Sequence, residues 1–181
     1  MSMIEQMLAF NKEFVENKRY ERYASAKYPE KKAAVLACMD TRLTELLPAA
    51  LNFKNGHIKI IKNAGAMISH PFGSVMRSLL VAIYELNVRE ILVIGHDDCG
   101  MQGLDPARLI EKMLARGIQK EAIDMIDYCG IDLHKWLRGF DDAEGSVRQT
   151  VNLIRNHPLV PADVGVCGFM IDPATGQLDK I

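Results

Sequence analysis

The chain has 181 residues, of which 49% are hydrophobic and 25% are charged, and its formal net charge is −1. This composition predicts a globular protein with a substantial core, and it excludes a disordered chain and a basic nucleic-acid-binding surface. No apolar stretch approaches the roughly 20 residues that a membrane span needs, and the N-terminus lacks the basic region of a signal peptide. We therefore expect a cytoplasmic protein whose four cysteines stay reduced.

The N-terminal 32 residues are predicted to form a helix and a connecting arm. Residues 4–18 carry apolar side chains at helical spacing, whereas residues 20–32 are polar and contain a proline. The apolar stripe consists of Ile4, Met7, Leu8, Phe10 and Phe14. Such a stripe needs a surface to cover it, either its own domain or a partner subunit, and we expect a partner subunit in a homodimer.

Short apolar runs predict the strands of the core. Residues 33–38 and 91–96 are almost wholly apolar, which is typical of strands that are buried on both faces. Residues 57–62, HIKIIK, predict a further strand that lies between them in the sequence. A short helix is predicted over residues 43–51, directly after the first strand.

The rest of the chain is predominantly helical until a final pair of strands. Apolar positions recur at intervals of three and four over residues 72–86, with Pro71 expected in the first turn of that helix. Further helical segments are predicted at residues 106–116, 120–128, 131–137 and 144–156. Residues 164–171 predict another strand, and residues 177–181 a short antiparallel edge strand.

Alternating strands and helices predict an α/β fold. We expect an open, mostly parallel sheet of about four strands plus an antiparallel edge strand, with helices on both faces. Because no linker or repeat divides the chain, residues 1–181 are expected to form a single domain. In such sheets, ligands bind beyond the carboxyl ends of the strands, at the point where the strand order reverses.

Two cysteines and one histidine follow the ends of the most apolar strands. Cys38 closes the first strand, His96 closes the 91–96 strand, and Cys99 lies three residues further on. Each residue alone is most simply a core thiol or a turn histidine, but together they form a set of metal ligands. Thiolate and imidazole suit Zn²⁺, and three protein ligands leave the fourth position open, as in catalytic sites. By contrast, Cys129 and Cys167 are expected to be buried thiols without a special role.

Asp40 and Arg42 follow the first predicted ligand closely. One interpretation is local, with Asp40 capping the helix that begins near Leu43 and Arg42 in solvent. The other is a charge-assisted pair beside the metal. In this second interpretation Asp40 accepts a hydrogen bond from the metal-bound nucleophile, or becomes a fourth zinc ligand in a closed state. Arg42 favours the first of these states, because pairing with Arg42 holds the Asp40 carboxylate away from the metal.

Three motifs carry a resemblance to a known family. CMDTR at residues 38–42, NAG at 63–65 and GHDDCGM at 95–101 closely resemble the β-class carbonic anhydrases, and GFMIDPATGQL near the C-terminus does so more weakly. The resemblance implies a zinc enzyme that hydrates carbon dioxide reversibly to bicarbonate and works as a dimer or a multiple of dimers. It implies Cys38, His96 and Cys99 as zinc ligands, Asp40 with Arg42 as the catalytic dyad, and residues 63–65 as the loop bordering the substrate cleft.

The mechanism expected from this resemblance uses zinc-bound hydroxide to attack carbon dioxide in an apolar pocket. Candidate pocket residues are Ala66, Met67 and Met101, and His70 is a candidate proton relay, with a helix cap as the alternative. Lys62, Ala66 and Met101 depart from the commonest plant-like pattern, in which arginine, a polar residue and glycine are frequent at these positions.

Other functions fit the same ligands. A zinc hydrolase of a related small substrate, such as carbon disulfide, needs a similar site. A catalytically silent protein that binds zinc or bicarbonate is an alternative of a different class, although it does not need the Asp40–Arg42 pair. A redox role for Cys38 and Cys99 leaves His96 and Asp40 without explanation.

Overall fold

Five strands form one mixed sheet in the computed structural model, which describes all 181 residues. The strands are β1 (Ala33–Cys38), β2 (Lys59–Asn63), β3 (Glu90–His96), β4 (Gly165–Ile171) and β5 (Leu178–Lys180). Their order in the sheet is β2-β1-β3-β4-β5, and all neighbours are parallel except β4 and β5. The predicted α/β fold, with its antiparallel edge strand, is confirmed.

Seven α-helices surround the sheet. They are α1 (Met3–Glu16), α2 (Leu46–Ala50), α3 (Ser74–Leu86), α4 (Pro106–Ala115), α5 (Lys120–Tyr128), α6 (Leu133–Leu137) and α7 (Ala143–Arg155). Short 3₁₀ turns also occur at Glu21–Tyr23, Thr41–Leu43 and Ala64–Ala66. None of the helices combines the length and the apolar composition that crossing a bilayer requires.

Strand β1 lies at the centre of the core, and all six of its residues are buried. Because successive side chains of a strand point to opposite faces, Ala34 and Leu36 pack in the cluster that includes α3 and α7. Val35 and Ala37 pack on the opposite face, in a second cluster that includes Leu47 of α2. This burial on both faces explains why the run is continuously apolar and not alternating.

Helix α1 contributes nothing to either cluster. It has a capping box at its start, where the Ser2 hydroxyl accepts from the Glu5 N–H and the Glu5 carboxylate accepts from the Ser2 N–H. None of its residues is buried, and its largest exposed apolar side chains are Met3, Ile4, Met7, Leu8 and Phe10. The predicted apolar stripe is therefore present, but it does not pack on the core of its own chain.

The start of α3 differs from the prediction. Pro71 was expected in its first turn, but the helix begins at Ser74, and Pro71 lies in the preceding turn. There the N–H of Gly73 donates to the His70 carbonyl, and the buried His157 ring contacts the Pro71 carbonyl through Nε2 at 3.0 Å. This contact joins residues that are far apart in the sequence, so helical periodicity alone does not reveal it.

The cysteines outside the predicted ligand set are less buried than expected. Cys129 is exposed, because it follows α5, a helix that has only one buried residue. Cys167 lies in β4 and is only partly buried. The prediction of two buried thiols is therefore wrong for Cys129 and only partly met by Cys167.

Candidate metal centre

The order of the strands brings the predicted ligands to one edge of the sheet. The chain passes from β1 outward to β2 and then back across β1 to β3, so the strand order reverses between β1 and β3. Cys38 is the last residue of β1 and His96 the last of β3. Cys99 follows His96 after a short turn. This is the position at which ligands bind in open α/β sheets.

The three side chains form a compact and buried cluster. The Sγ atoms of Cys38 and Cys99 and a ring nitrogen of His96 all lie within 4.8 Å of one another. The two sulfur atoms are 3.8 Å apart, which is too far for a disulfide. The side chains of these residues point towards one another, and each residue is buried.

The surroundings of His96 orient the ring towards the sulfur atoms. Its Nδ1 lies 2.8 Å from the backbone oxygen of Asp97, and since that oxygen can only accept, Nδ1 carries the proton. The lone pair is then on Nε2, which is buried and has no hydrogen-bond partner. An unpaired polar atom is costly to bury, so this nitrogen indicates a missing partner, and a metal ion beside two thiols supplies one.

The two thiols respond differently to their surroundings. Burial raises the pKa of Cys38, but the adjacent His96 imidazole and the N–H of Gly65, 3.4 Å from the sulfur, lower it to a net value below the usual one. Burial raises the pKa of Cys99, and the charge of Cys38 adds to the effect. Because the charge of one thiolate opposes ionisation of the other, both thiols ionise only when a cation lies between them. A bound Zn²⁺ ion would supply that positive charge.

Asp40 and Arg42 form an ion pair beside the cluster. Arg42 Nε donates to Asp40 Oδ1 at 3.0 Å and Nη2 donates to Oδ2 at 2.9 Å, so the pair is bidentate. Asp40 also accepts from the Arg42 backbone N–H at 2.9 Å, and this is the local cap that the first interpretation expected. The cap of the first interpretation and the ion pair of the second are therefore both present, whereas a contact of Asp40 with a metal ion or a nucleophile stays a prediction. The carboxylate lies 3.9 Å from His96 Nε2.

The contacts from Arg42 keep Asp40 ionised. They lower the pKa of the Asp40 carboxyl to about 2, so it carries its negative charge throughout the neutral range. Arg42 contacts a second carboxylate as well, that of Asp98, at 3.0 Å. Asp98 was not among the predicted site residues. Its place in the sequence, between the predicted ligands His96 and Cys99, could have indicated a role beside the site.

A cavity of about 350 Å³ opens onto the cluster. Its lining residues are Cys38, Met39, Asp40, Thr41, Ala64, Cys99, Gly100 and Met101. Met101 was expected here and is present, but Ala66 is 1% exposed in the interior and Met67 lines a different cavity. The apolar wall instead comes from Met39 and Ala64. Ala64 belongs to the 63–65 loop, which borders this cavity.

His70 lies in the turn before α3 and is exposed. Its Nδ1 accepts from the N–H of Phe72 at 3.0 Å, so the ring caps this turn. This is the local role that was the alternative to a proton relay, and the relay itself stays a prediction.

The loop carrying Met101 depends on close packing against Gly139. A Cβ added at Gly139 would collide with the Met101 carbonyl oxygen, which accepts from the Phe140 N–H at 3.2 Å. We expect Gly139→Ala to lower the free energy of unfolding by about 1–3 kcal/mol, because the methyl group has no space. Chemical denaturation measures this change. Gly100→Ala is the control, since a Cβ there meets nothing within 4 Å; equal stability losses for the two variants would contradict the prediction.

Comparison with known proteins gives the same picture as the motifs. The family model described as carbonic anhydrase matches residues 33–178. A Bacillus subtilis (strain 168) protein, whose own carbonic anhydrase name is provisional, is 54% identical over 181 residues, or 100% of this chain and 97% of the relative. The crystal structure of β-carbonic anhydrase isoform I from Trichomonas vaginalis has a TM-score of 0.91 and 35% identity, covering 100% of this chain and 98% of that chain. A carbon disulfide hydrolase of Acidithiobacillus thiooxidans is 27% identical over 150 residues, 80% of this chain and 74% of the relative.

Proposed function

Because the chain belongs to the β-carbonic anhydrase family, we propose that it is a zinc enzyme that hydrates carbon dioxide reversibly to bicarbonate. The observation that carries the proposal is the buried cluster of two thiols and an imidazole whose Nε2 has no partner. This cluster opens onto a cavity with an ion pair at its side. The residues of this chain therefore fit the metal that the family uses.

Cys38, His96 and Cys99 would hold the zinc ion. When bound, zinc lowers the pKa of a coordinated water molecule and so supplies a nucleophile near neutral pH. The two thiolates offset the positive charge of a divalent ion, which favours release of an anionic product such as bicarbonate. The backbone oxygen of Asp97 holds the His96 ring in the tautomer that binding requires.

Asp40 and Arg42 would orient the reacting groups. Asp40 is ionised and fixed by two hydrogen bonds from the Arg42 side chain, so it can accept a hydrogen bond from the nucleophile without rotating. We further propose that at low pH the Asp40 carboxylate would part from Arg42 and help to hold the zinc ion as a fourth ligand, which would block the position of the nucleophile. Activity should then rise from acid to alkaline pH.

The cavity suits a small linear substrate. Met39, Ala64 and Met101 supply apolar lining to the cavity that the two cysteines also line, and Thr41 and Asp40 supply polar groups. Carbon dioxide is apolar overall, but its carbon atom is electrophilic and its hydrated product is charged. A cavity lined by both apolar and polar groups therefore accommodates both substrate and product.

Stopped-flow measurement of carbon dioxide hydration, on protein whose zinc content has been quantified, tests the proposed function. We expect activity in proportion to the zinc bound. Zinc-loaded protein without hydration activity would overturn the proposal and favour a catalytically silent zinc- or bicarbonate-binding protein.

Carbon disulfide is the second candidate substrate, because a carbon disulfide hydrolase is among the relatives. It is also linear and apolar, but larger at both ends. Release of hydrogen sulfide from carbon disulfide, compared with carbon dioxide hydration on the same preparation, distinguishes the two. We expect hydration to be the faster reaction.

The proposal includes a homodimer in the cytoplasm. Helix α1 has no buried residue, and its apolar side chains would remain in water unless a second copy covers them. Cytoplasmic conditions also keep the two thiols of the site reduced.

We expect light scattering to show a dimer at micromolar concentration. We also expect Leu8→Glu, which places a charge in the apolar stripe, to shift the protein towards the monomer. Lys12→Gln, on an exposed position of the same helix, is the matched control. A monomeric parent protein would show that α1 is not a dimer contact.

A further inference from the structure

Asp98 occupies an unusual position between two predicted ligands. It lies in the turn from His96 to Cys99 and has a φ of 54°, in the left-handed region. Aspartate, asparagine and glycine adopt this conformation more readily than other residues, and β-branched residues adopt it least. The side chain of Asp98 is 87% exposed, so burial does not explain the conformation.

Arg42 contacts residue 98 twice. Its Nη1 donates to Asp98 Oδ2 at 3.0 Å, and its Nη2 donates to the Asp98 backbone oxygen at 3.0 Å. The Nε and Nη2 groups of the same guanidinium donate to Asp40. The planar guanidinium is thus held between two aspartates, one at the end of each central strand.

The geometry points to residue 98 as a positioning residue for Arg42, and through it for Asp40; its catalytic consequence rests on the proposed function. The left-handed turn directs the backbone carbonyl of residue 98 towards Arg42. That contact, with the carboxylate, holds one side of the guanidinium so that the other side meets Asp40. The Arg42 side chain is 40% exposed on a flexible stem, and without these contacts it has other conformations in solvent.

The two contacts differ in importance. The Asp98 carboxylate is exposed to solvent, and ion pairs of this kind contribute little. The carbonyl contact does not depend on the side chain, but it requires the left-handed turn. Residue 98 is therefore expected to tolerate loss of its charge better than loss of its backbone conformation.

Substitutions at position 98 separate these two effects. Asp98→Asn removes the charge and keeps the left-handed preference. Asp98→Val opposes the left-handed conformation through its β-branched side chain, and Asp98→Ala does so more mildly. Asp97→Asn is the matched control for the Arg42 contacts, since it removes a neighbouring charge that does not bond to Arg42 and keeps the backbone oxygen beside His96.

The first measurement is independent of activity. In the zinc-loaded protein, the NMR signal of the Arg42 Nε–H, assigned by its loss in Arg42→Ala, reports whether the guanidinium is fixed. We expect the signal to stay near its parental position in Asp98→Asn and Asp97→Asn. We expect it to move towards the position of a free arginine in Asp98→Ala, and further in Asp98→Val.

The second measurement is kinetic. We expect kcat to fall about tenfold in Asp98→Val, with unchanged KM and zinc content, because fewer molecules have Asp40 in position. A smaller fall is expected in Asp98→Asn. In an Arg42→Ala background, Asp98→Val should cause no further loss, because the residue through which it acts is absent.

An Arg42 signal that stays at its parental position in both Asp98→Ala and Asp98→Val would overturn the inference, and either variant suffices if the other does not fold. If the variants show the expected signal changes but the parent protein does not hydrate carbon dioxide, the positioning role of residue 98 stands and the proposed function is rejected. The two failures are therefore distinguishable.

Discussion

Arg42→Ala is expected to abolish most carbon dioxide hydration while the protein still binds about one zinc ion per chain. Arg42 is not among the three residues whose ligand atoms meet, so its loss leaves the metal-binding groups in place. Without it, however, Asp40 loses both side-chain hydrogen bonds that fix its carboxylate. The carboxylate then has other conformations, and the pKa that these bonds hold down rises.

The expected loss is large because, in the proposed function, Asp40 contacts the reacting atoms. A positioned acid–base group contributes about 10²–10⁴-fold to a rate, so we expect a fall of at least about 10²-fold. Asp40→Ala should lose activity as well. If Asp40 also closes the site at low pH, this second variant should no longer show that inhibition.

Zinc content and the pH–rate profile of both variants are measured against the parent protein. Arg138→Ala is a suitable control, since Arg138 is an exposed arginine whose only ion pair is with the exposed Asp141. Parental rates in Arg42→Ala across the whole profile would mean that the Asp40–Arg42 pair is only a cap for the following turn.

Cys99→Ser is expected to remove most of the bound zinc, and with it the activity. The serine hydroxyl is a poor ligand for Zn²⁺ because it does not ionise as a thiol does. The remaining cysteine and histidine then provide only two ligands, and a buried two-ligand site holds the ion weakly. Elemental analysis after dialysis measures the change directly.

The matched control is Cys167→Ser, which removes a partly buried thiol from β4, outside the cluster. We expect this variant to keep its zinc. Undiminished zinc in Cys99→Ser would contradict the ligand assignment, and loss of zinc from both variants would indicate that general destabilisation causes the effect. Circular dichroism of each variant confirms that the protein is folded before the zinc content is compared.

Much of the sheet could be predicted because its signals are local. The runs ending at Cys38 and His96 are apolar on both faces, and only central parallel strands require this. The alternation of strands and helices predicted an open sheet. Because ligands bind beyond the carboxyl ends of the strands in such sheets, the three candidate ligands were expected to lie close together. The resemblance to the β-carbonic anhydrases, which rested on three short motifs, is confirmed by the family comparison.

The cavity wall could not be predicted in the same way. Gly65 and Ala66 both have positive φ values, 80° and 54°, so two successive residues adopt the left-handed conformation. Ala66 consequently points into the core while Ala64 lines the cavity. The sequence Asn-Ala-Gly-Ala alone does not indicate which alanine lines the cavity, because their orientations depend on the backbone conformation of this turn. Phe140, from a distant part of the sequence, contacts this turn closely enough to exclude a side chain at Gly65.

The pairing of β1 with β3 also determines when the metal site can exist during folding. Cys38 and Cys99 are 61 residues apart, and the intervening chain forms β2 and α3 before it returns to the centre of the sheet. A connection of this length must close before the strands can pair, and contacts between residues so distant in the sequence form slowly. The unfolded chain therefore contains only the His96–Cys99 half of the site as a local unit. The proposed zinc ion would therefore bind tightly only after the central strands have paired, and it would then link β1 to the turn after β3 and oppose their separation.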